Sequence, residues 1–125
     1  MDDEAAIRRS ASLLLSRFGH TVAEAAHGEE ALEKYRAAKA VGEPFDVVLM
    51  DLTIPGAMGG KDAVLRLREI DPDAKAIVFS GYSNDPIMAD PAKHGFNGSL
   101  QKPFEPAELS ALLQQILTER ERAAA

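Results

Sequence analysis

The chain has no cysteine and no tryptophan, and only two tyrosines and five phenylalanines among 125 residues. Without cysteine, neither disulfides nor thiolate metal sites are available. That composition suits a reducing compartment, and a cytoplasmic location is expected. No apolar run approaches the roughly 18 residues of a membrane span. No basic leader precedes an apolar stretch, so neither membrane contact nor secretion is expected. Positive charge is scarce: 14 Lys and Arg face 20 Asp and Glu, for a net charge of -6. Nucleic-acid binding, which usually needs a basic face, is therefore not expected. A glycine-rich nucleotide motif is missing too, which excludes an ATP-binding kinase core. His20, His27 and His94 lack metal-ligand spacing and read as surface or loop residues.

What remains is ordinary for one globular domain over residues 1–125: 46% hydrophobic and 27% charged. Ile7, Ala11, Leu14, Leu15 and Phe18 recur at helical spacing, with Asp2 or Asp3 as cap and Gly19 as stop. Thr21 to Ala25 reads as a short strand, and Gly28 opens a second helix with Ala31, Leu32 and Tyr35 as its stripe. Phe45 to Met50 is a strand buried on both faces. A third helix carries Ala63, Val64, Leu67 and Ile70, and a further strand runs from Ala74 to Ser80. A helix from about Pro86 to Lys93 is interrupted by Pro91. Phe96 to Leu100 is the last strand. Leu109, Leu112, Leu113, Ile116 and Leu117 form the core stripe of the final helix. Alternating helices and strands predict an α/β fold with a parallel sheet covered on both faces.

In such a sheet, side chains at the carboxyl ends of the strands meet in one crevice. Asp51, Ser80 and Lys102 all stand at strand ends, and Asp2 and Asp3 lie near the start. Three carboxylates are hard oxygen ligands that suit Mg²⁺. The plainer reading of Asp2 and Asp3 is helix capping, and of Asp51 a turn-opening aspartate. Ser80 can donate to a phosphoryl oxygen or simply satisfy backbone. Lys102 can neutralise phosphoryl charge as a mobile ammonium, or sit solvated at the surface. The Lys102-Pro103 bond is open to either isomer.

Asp2-Asp3-Glu4, Met50-Asp51-Leu52-Thr53-Ile54-Pro55-Gly56, Phe79-Ser80-Gly81 and Lys102-Pro103-Phe104 together resemble the receiver domain of a two-component response regulator. The similarity is greatest to receivers of hybrid sensor histidine kinases and covers nearly the whole chain. It implies a flavodoxin-like doubly wound sheet of strand order 2-1-3-4-5. It implies that Asp51 is the phosphoacceptor, with Ser80 and Lys102 on the phosphoryl oxygens. It also implies Mg²⁺ held by Asp3, by Asp2 through water, by Asp51 and by the Thr53 carbonyl. The implied partner is a histidine kinase or phosphotransfer domain, and the implied chemistry is self-phosphorylation and autodephosphorylation.

The chain departs from that pattern at its start. Family members carry about five apolar residues before the acidic pair, forming the first strand, where only Met1 stands here. Burying five such side chains contributes on the order of 10 kcal/mol at roughly 2 each, against a total stability of about 5–15 kcal/mol. Met1 is therefore expected to be an internal residue of a longer protein or a point of truncation. A homo-oligomer or strand-exchanged dimer is the expected compensation. Tyr82 stands outside the position where an aromatic switch residue is frequent. Two other functions remain open. One is a phosphorylation-incompetent remnant that serves as an interaction or oligomerisation module. The other is a phosphatase-like hydrolase, disfavoured because Thr53 stands where a general acid would be needed.

Overall fold

The structure is a computed structural model that describes residues 1–81 and 84–124; Tyr82 and the last alanine lie outside the described residues. Three parallel strands form the sheet, in the order β1 (Val48–Asp51), β2 (Ala76–Ser80), β3 (Gly98–Gln101). Asp51 stands opposite Phe79, and Ser80 opposite Gln101. Helices α1 (Ala5–Arg17), α2 (Gly28–Ala40), α3 (Gly60–Ile70), α4 (Pro86–Ala89) and α5 (Pro106–Ala124) surround it.

Every residue of β2 is buried, because this strand is central and helices cover both faces. Its alternating side chains divide the core in two. Ala76 and Val78 pack with Met50, Leu32 and Tyr35 of α2, and Val64 and Leu67 of α3. Ile77 and Phe79 pack with Leu100, Leu109, Leu113 and Ile116, against which Leu14 and Leu15 of α1 lean. The leucine stripe of α5 is therefore core, as its spacing predicts.

The helix ends follow local chemistry. Glu4, rather than Asp2 or Asp3, is the residue preceding α1, and its N–H donates to Asp2 Oδ1 at 2.9 Å. Gly19, at φ 91°, lets the chain leave α1 in the left-handed region. His27 is not an idle loop residue. Its Nδ1 accepts from Glu30 N while Glu30 Oε1 accepts from Ala26 N, both at 3.2 Å, a reciprocal cap on α2. The Pro86–Lys93 helix breaks at Asp90-Pro91 into α4 and a 3₁₀ turn over Pro91–His94.

The expected strand at Thr21–Ala25 is a correction: those residues join no ladder. The reason lies in the strand order. Their backbone neighbour on the β1 side is the short Met1-Asp2 segment. Asp51 N donates to Met1 O at 3.0 Å, and Asp2 N donates to Ala25 O at 3.0 Å. Two residues make the bonds of a strand end but cannot carry a ladder. Among the described residues the sheet is thus three strands, with Met1-Asp2 bonded along the β1 edge.

Candidate functional site

The site is built at the carboxyl ends of the strands. Met50 is fully buried, and β1 delivers Asp51 at the rim, 8% exposed. Leu52 N donates to Phe79 O at 3.0 Å, which holds the loop after Asp51 against β2. That loop returns through Gly59 and Gly60, where a Cβ would meet Leu52 O at 2.6 Å and Asp51 O at 2.9 Å respectively. Glycine at both positions lets α3 start directly behind the aspartate.

Asp2 enters from the other side. It is 1% exposed, because the Met1 stub threads it between β1 and Ala25. Arg8 Nη1 donates to Asp2 O at 2.7 Å, and Arg8 Nε lies 3.3 Å from Glu24 Oε1. The sequence marks Arg8 only as part of a polar helix face.

Lys102 leaves the end of β3, and its N–H donates to Ser80 O at 2.8 Å. The Lys102-Pro103 bond is cis. Its Nζ donates to Asp2 Oδ2 at 2.8 Å and lies 3.4 Å from Asp51 Oδ2. The same ammonium lies 4.8 Å from the Phe79 ring centroid, a cation–π placement that the sequence did not announce. Asp3, exposed, completes the cluster: one carboxylate oxygen from each of Asp2, Asp3 and Asp51 lies within 4.8 Å of the others.

Burial pushes the Asp51 carboxyl above its ordinary value, with the Asp2 and Asp3 charges adding to it and Lys102 opposing. Burial draws the Lys102 ammonium down, but the combined pull of Asp2 and Asp51 outweighs it and leaves Lys102 above the usual lysine value. Three carboxylates therefore face one ammonium. Oxygens that share one Mg²⁺ span at most about 4.2 Å, twice the bond length of roughly 2.1 Å. The observed spacing is close to that, so the donor set fits a small hard cation.

Of the residues singled out from the sequence, Asp2, Asp3, Asp51 and Lys102 meet at one rim. Ser80 is buried at the neighbouring strand end, one residue beyond the position opposite Asp51. Thr53 lies two residues past Asp51 on the exposed loop.

A parallel sheet with an acidic rim and a lysine from the last strand is the layout of a receiver domain. The sequence profile described as response regulator receiver domain matches residues 1–114. The chain belongs to the response regulator receiver family of two-component signalling. It is 35% identical over 117 residues to the chemotaxis protein CheY of Thermotoga maritima, covering 93% of this chain and 92% of that one. It is also 35% identical over 122 residues to the sensor kinase CckA of Brucella abortus, covering 97% of this chain but 12% of the kinase. Among solved structures, the Thermotoga maritima response regulator TrrA in complex with Mg²⁺ and beryllium fluoride superimposes with a TM-score of 0.76 at 28% identity. That match covers 92% of this chain and 93% of TrrA.

Proposed function

We propose that residues 1–125 act as one phosphoacceptor domain, in which Asp51 takes a phosphoryl group from a histidine of a kinase or phosphotransfer partner. The observation that carries this reading is the convergence of Asp2, Asp3, Asp51 and Lys102 on one point. Phosphoryl transfer has a loose transition state, so positioning and charge neutralisation supply most of the catalysis. An Asp51 oxygen attacks phosphorus in line, forming an O–P bond as the P–N bond to the donor imidazole breaks. Lys102 swings its ammonium from the Asp2 side toward the transferred oxygens, and Ser80 donates its hydroxyl to one of them. Asp2, Asp3, Asp51 and the Thr53 carbonyl are the groups that would hold Mg²⁺, which supplies positive charge between acceptor and phosphoryl group. Water later cleaves the acyl phosphate and returns the Asp51 carboxylate and free phosphate. The added negative charge meanwhile draws Ser80 and the loop after it inward, a local switch on a two-state surface. On this reading the domain meets its kinase partner in the cytoplasm.

The test is incubation with Mg²⁺ and acetyl phosphate, followed by intact mass measurement. The expected result is one added phosphate that requires Mg²⁺ and vanishes in Asp51→Asn. An unmodified wild-type mass under those conditions sinks the reading.

A second reading has its own observation, a largely apolar groove beside β1 lined by Leu15, Tyr35, Val47 and Leu113. In that reading the chain is a phosphate-independent interaction or oligomerisation module. Complexes that form equally with wild type and Asp51→Asn, with no phosphate incorporated by either, would establish it.

A further inference from the structure

Phe79 holds the middle of a row across the sheet. It stands opposite Asp51 on β1 and opposite Leu100 on β3. Side chains at paired positions share a face of the sheet, as do residues two apart along one strand. Asp51, Phe79 and Lys102 therefore issue from one face, with the ring between the acceptor strand and the strand that delivers the lysine. The Phe79 side chain is buried, and Leu100, Leu109, Leu113 and Ile116 belong to the same cluster. Phe104 meets it edge-on, at 6.3 Å between centroids and 77° between planes. An edge-on aromatic neighbour in a packed core fixes the tilt of the ring.

The Lys102 ammonium lies over that ring, 4.8 Å from its centroid. It donates to Asp2 Oδ2 at 2.8 Å and lies 3.4 Å from Asp51 Oδ2. The lysine side chain is only 18% exposed. An ammonium is a strongly hydrated point charge, so whatever flanks it must replace water. A leucine at position 79 would exclude water from that side and return nothing. The face of an aromatic ring carries partial negative charge and attracts the cation. The two kinds of contact differ in reach. A hydrogen bond ties the ammonium to one oxygen, whereas the pull of the ring extends to roughly 6 Å from its centroid. That pull persists while the ammonium changes oxygen partners.

We propose that Phe79 is a positioning residue for Lys102, its ring face holding the ammonium at the rim while it exchanges Asp2 for the oxygens of a phosphoryl group on Asp51. The resting position follows from the contacts above, and the exchange rests on the phosphoacceptor reading. Phe79 acts through Lys102 and takes no part in bond making.

The test places 4-fluorophenylalanine or 3,4,5-trifluorophenylalanine at position 79 alone, through a reassigned stop codon, in the 125-residue chain. Fluorine withdraws negative charge from the ring face and nearly keeps its shape. Melting temperatures are compared in wild type and in Lys102→Met. Effects of fluorine on packing are common to both backgrounds, so the difference isolates the pairing of ring and ammonium. The trifluoro ring should lower Tm by about 3 °C more with lysine than with methionine at position 102, and the monofluoro ring by less. Phosphate incorporation from acetyl phosphate and Mg²⁺ should slow about threefold to tenfold with the trifluoro ring. A measurement that does not need Lys102→Met to fold is the proton spectrum. The ε-methylene protons of Lys102 should be shifted upfield by the ring current, and Phe79→Leu should abolish that shift. Equal Tm losses in the two backgrounds overturn the proposal, and so does an absent ring-current shift. A rate of phosphate incorporation indifferent to fluorine overturns it as well. A wild type that takes no phosphate sinks the phosphoacceptor reading instead, and the melting comparison then decides whether the ring holds the ammonium.

Discussion

Lys102 Nζ and Asp2 Oδ2 are 2.8 Å apart although 100 positions separate the two residues. That contact ties the last strand to the first residues of the chain. It also places the Lys102 ammonium between two buried carboxylates. Each group there stands in for the missing hydration of another, and substitutions at Lys102 and Asp51 test that dependence.

Replacing Lys102 by methionine keeps the aliphatic stem and removes the charge. Asp2 and Asp51 would then face each other without the Lys102 charge. Breaking one side of a buried pair is costly, and a loss of about 3 kcal/mol is expected. Because Asp2, Asp3 and Asp51 remain, millimolar MgCl₂ should recover part of the lost stability in urea melts. Equal stability of wild type and variant without Mg²⁺ would show that the ammonium is not needed there.

Asp51→Asn tests the electrostatics in the opposite direction. Burial raises the folded Asp51 carboxyl above its unfolded value of 3.8. The unfolded chain therefore ionises first as pH rises. The resulting cost to folding is absent below pH 3.8, grows as pH rises through the raised value, and is complete above it. The asparagine variant escapes this cost and should be more stable at pH 7, by about 1 kcal/mol. The advantage should shrink as both proteins are brought below pH 4. A variant less stable than wild type at neutral pH contradicts this account.

Gly60→Ala adds one methyl group at a crowded place. Its Cβ would lie 2.9 Å from Asp51 O and 3.0 Å from Met50 Cβ, neither of which is the loose end of a flexible chain. Helix propensity favours alanine by nearly 1 kcal/mol, so the contact must outweigh that gain. A net loss of about 1–2 kcal/mol is expected, with slower phosphate incorporation because α3 pushes on the aspartate. Unchanged kinetics and stability would mean that the helix shifts freely.

Arg68 offers a control remote from the site. Its Nη2 donates to Gly95 O at 2.6 Å and to Asn97 Oδ1 at 2.9 Å, and its Nη1 donates to Ala74 O. Asn97 Oδ1 also accepts from Ala76 N at 2.9 Å, so one side chain secures the starts of β2 and β3. Arg68→Met should cost about 2–3 kcal/mol by leaving these acceptors without their donor. Mg²⁺ affinity, measured by calorimetry, should be unchanged. A change in Mg²⁺ affinity as large as the stability loss would show that the clip reaches the rim.

Much of this was readable in advance because the signals are local. Pro91 disrupts a helix interior by removing an N–H, and the Pro86–Lys93 helix accordingly stops at Ala89, before Asp90-Pro91. The Phe45–Met50 run reads as a strand buried on both faces, yet the strand spans Val48–Asp51, with Val48 only half-buried and Asp46 exposed. Thr21–Ala25 misled because its composition suits a strand, while strand formation depends on a neighbour that the composition does not reveal. His27 misled for the converse reason. A histidine cap depends on ring orientation and on Glu30 reaching back, neither of which spacing discloses.

The order of apolar stripes, and the placement of Asp51, Ser80 and Lys102 at strand ends, belong to the sequence alone, because periodicity and chain punctuation act over a few residues. Which of those residues touch was decided by the tertiary structure. Only packing brings residue 2 to residue 102 and sets the Lys102 ammonium among three carboxylates. Contacts of that kind are settled by burial and Coulomb energy summed over the whole domain, and no short window of the chain contains them.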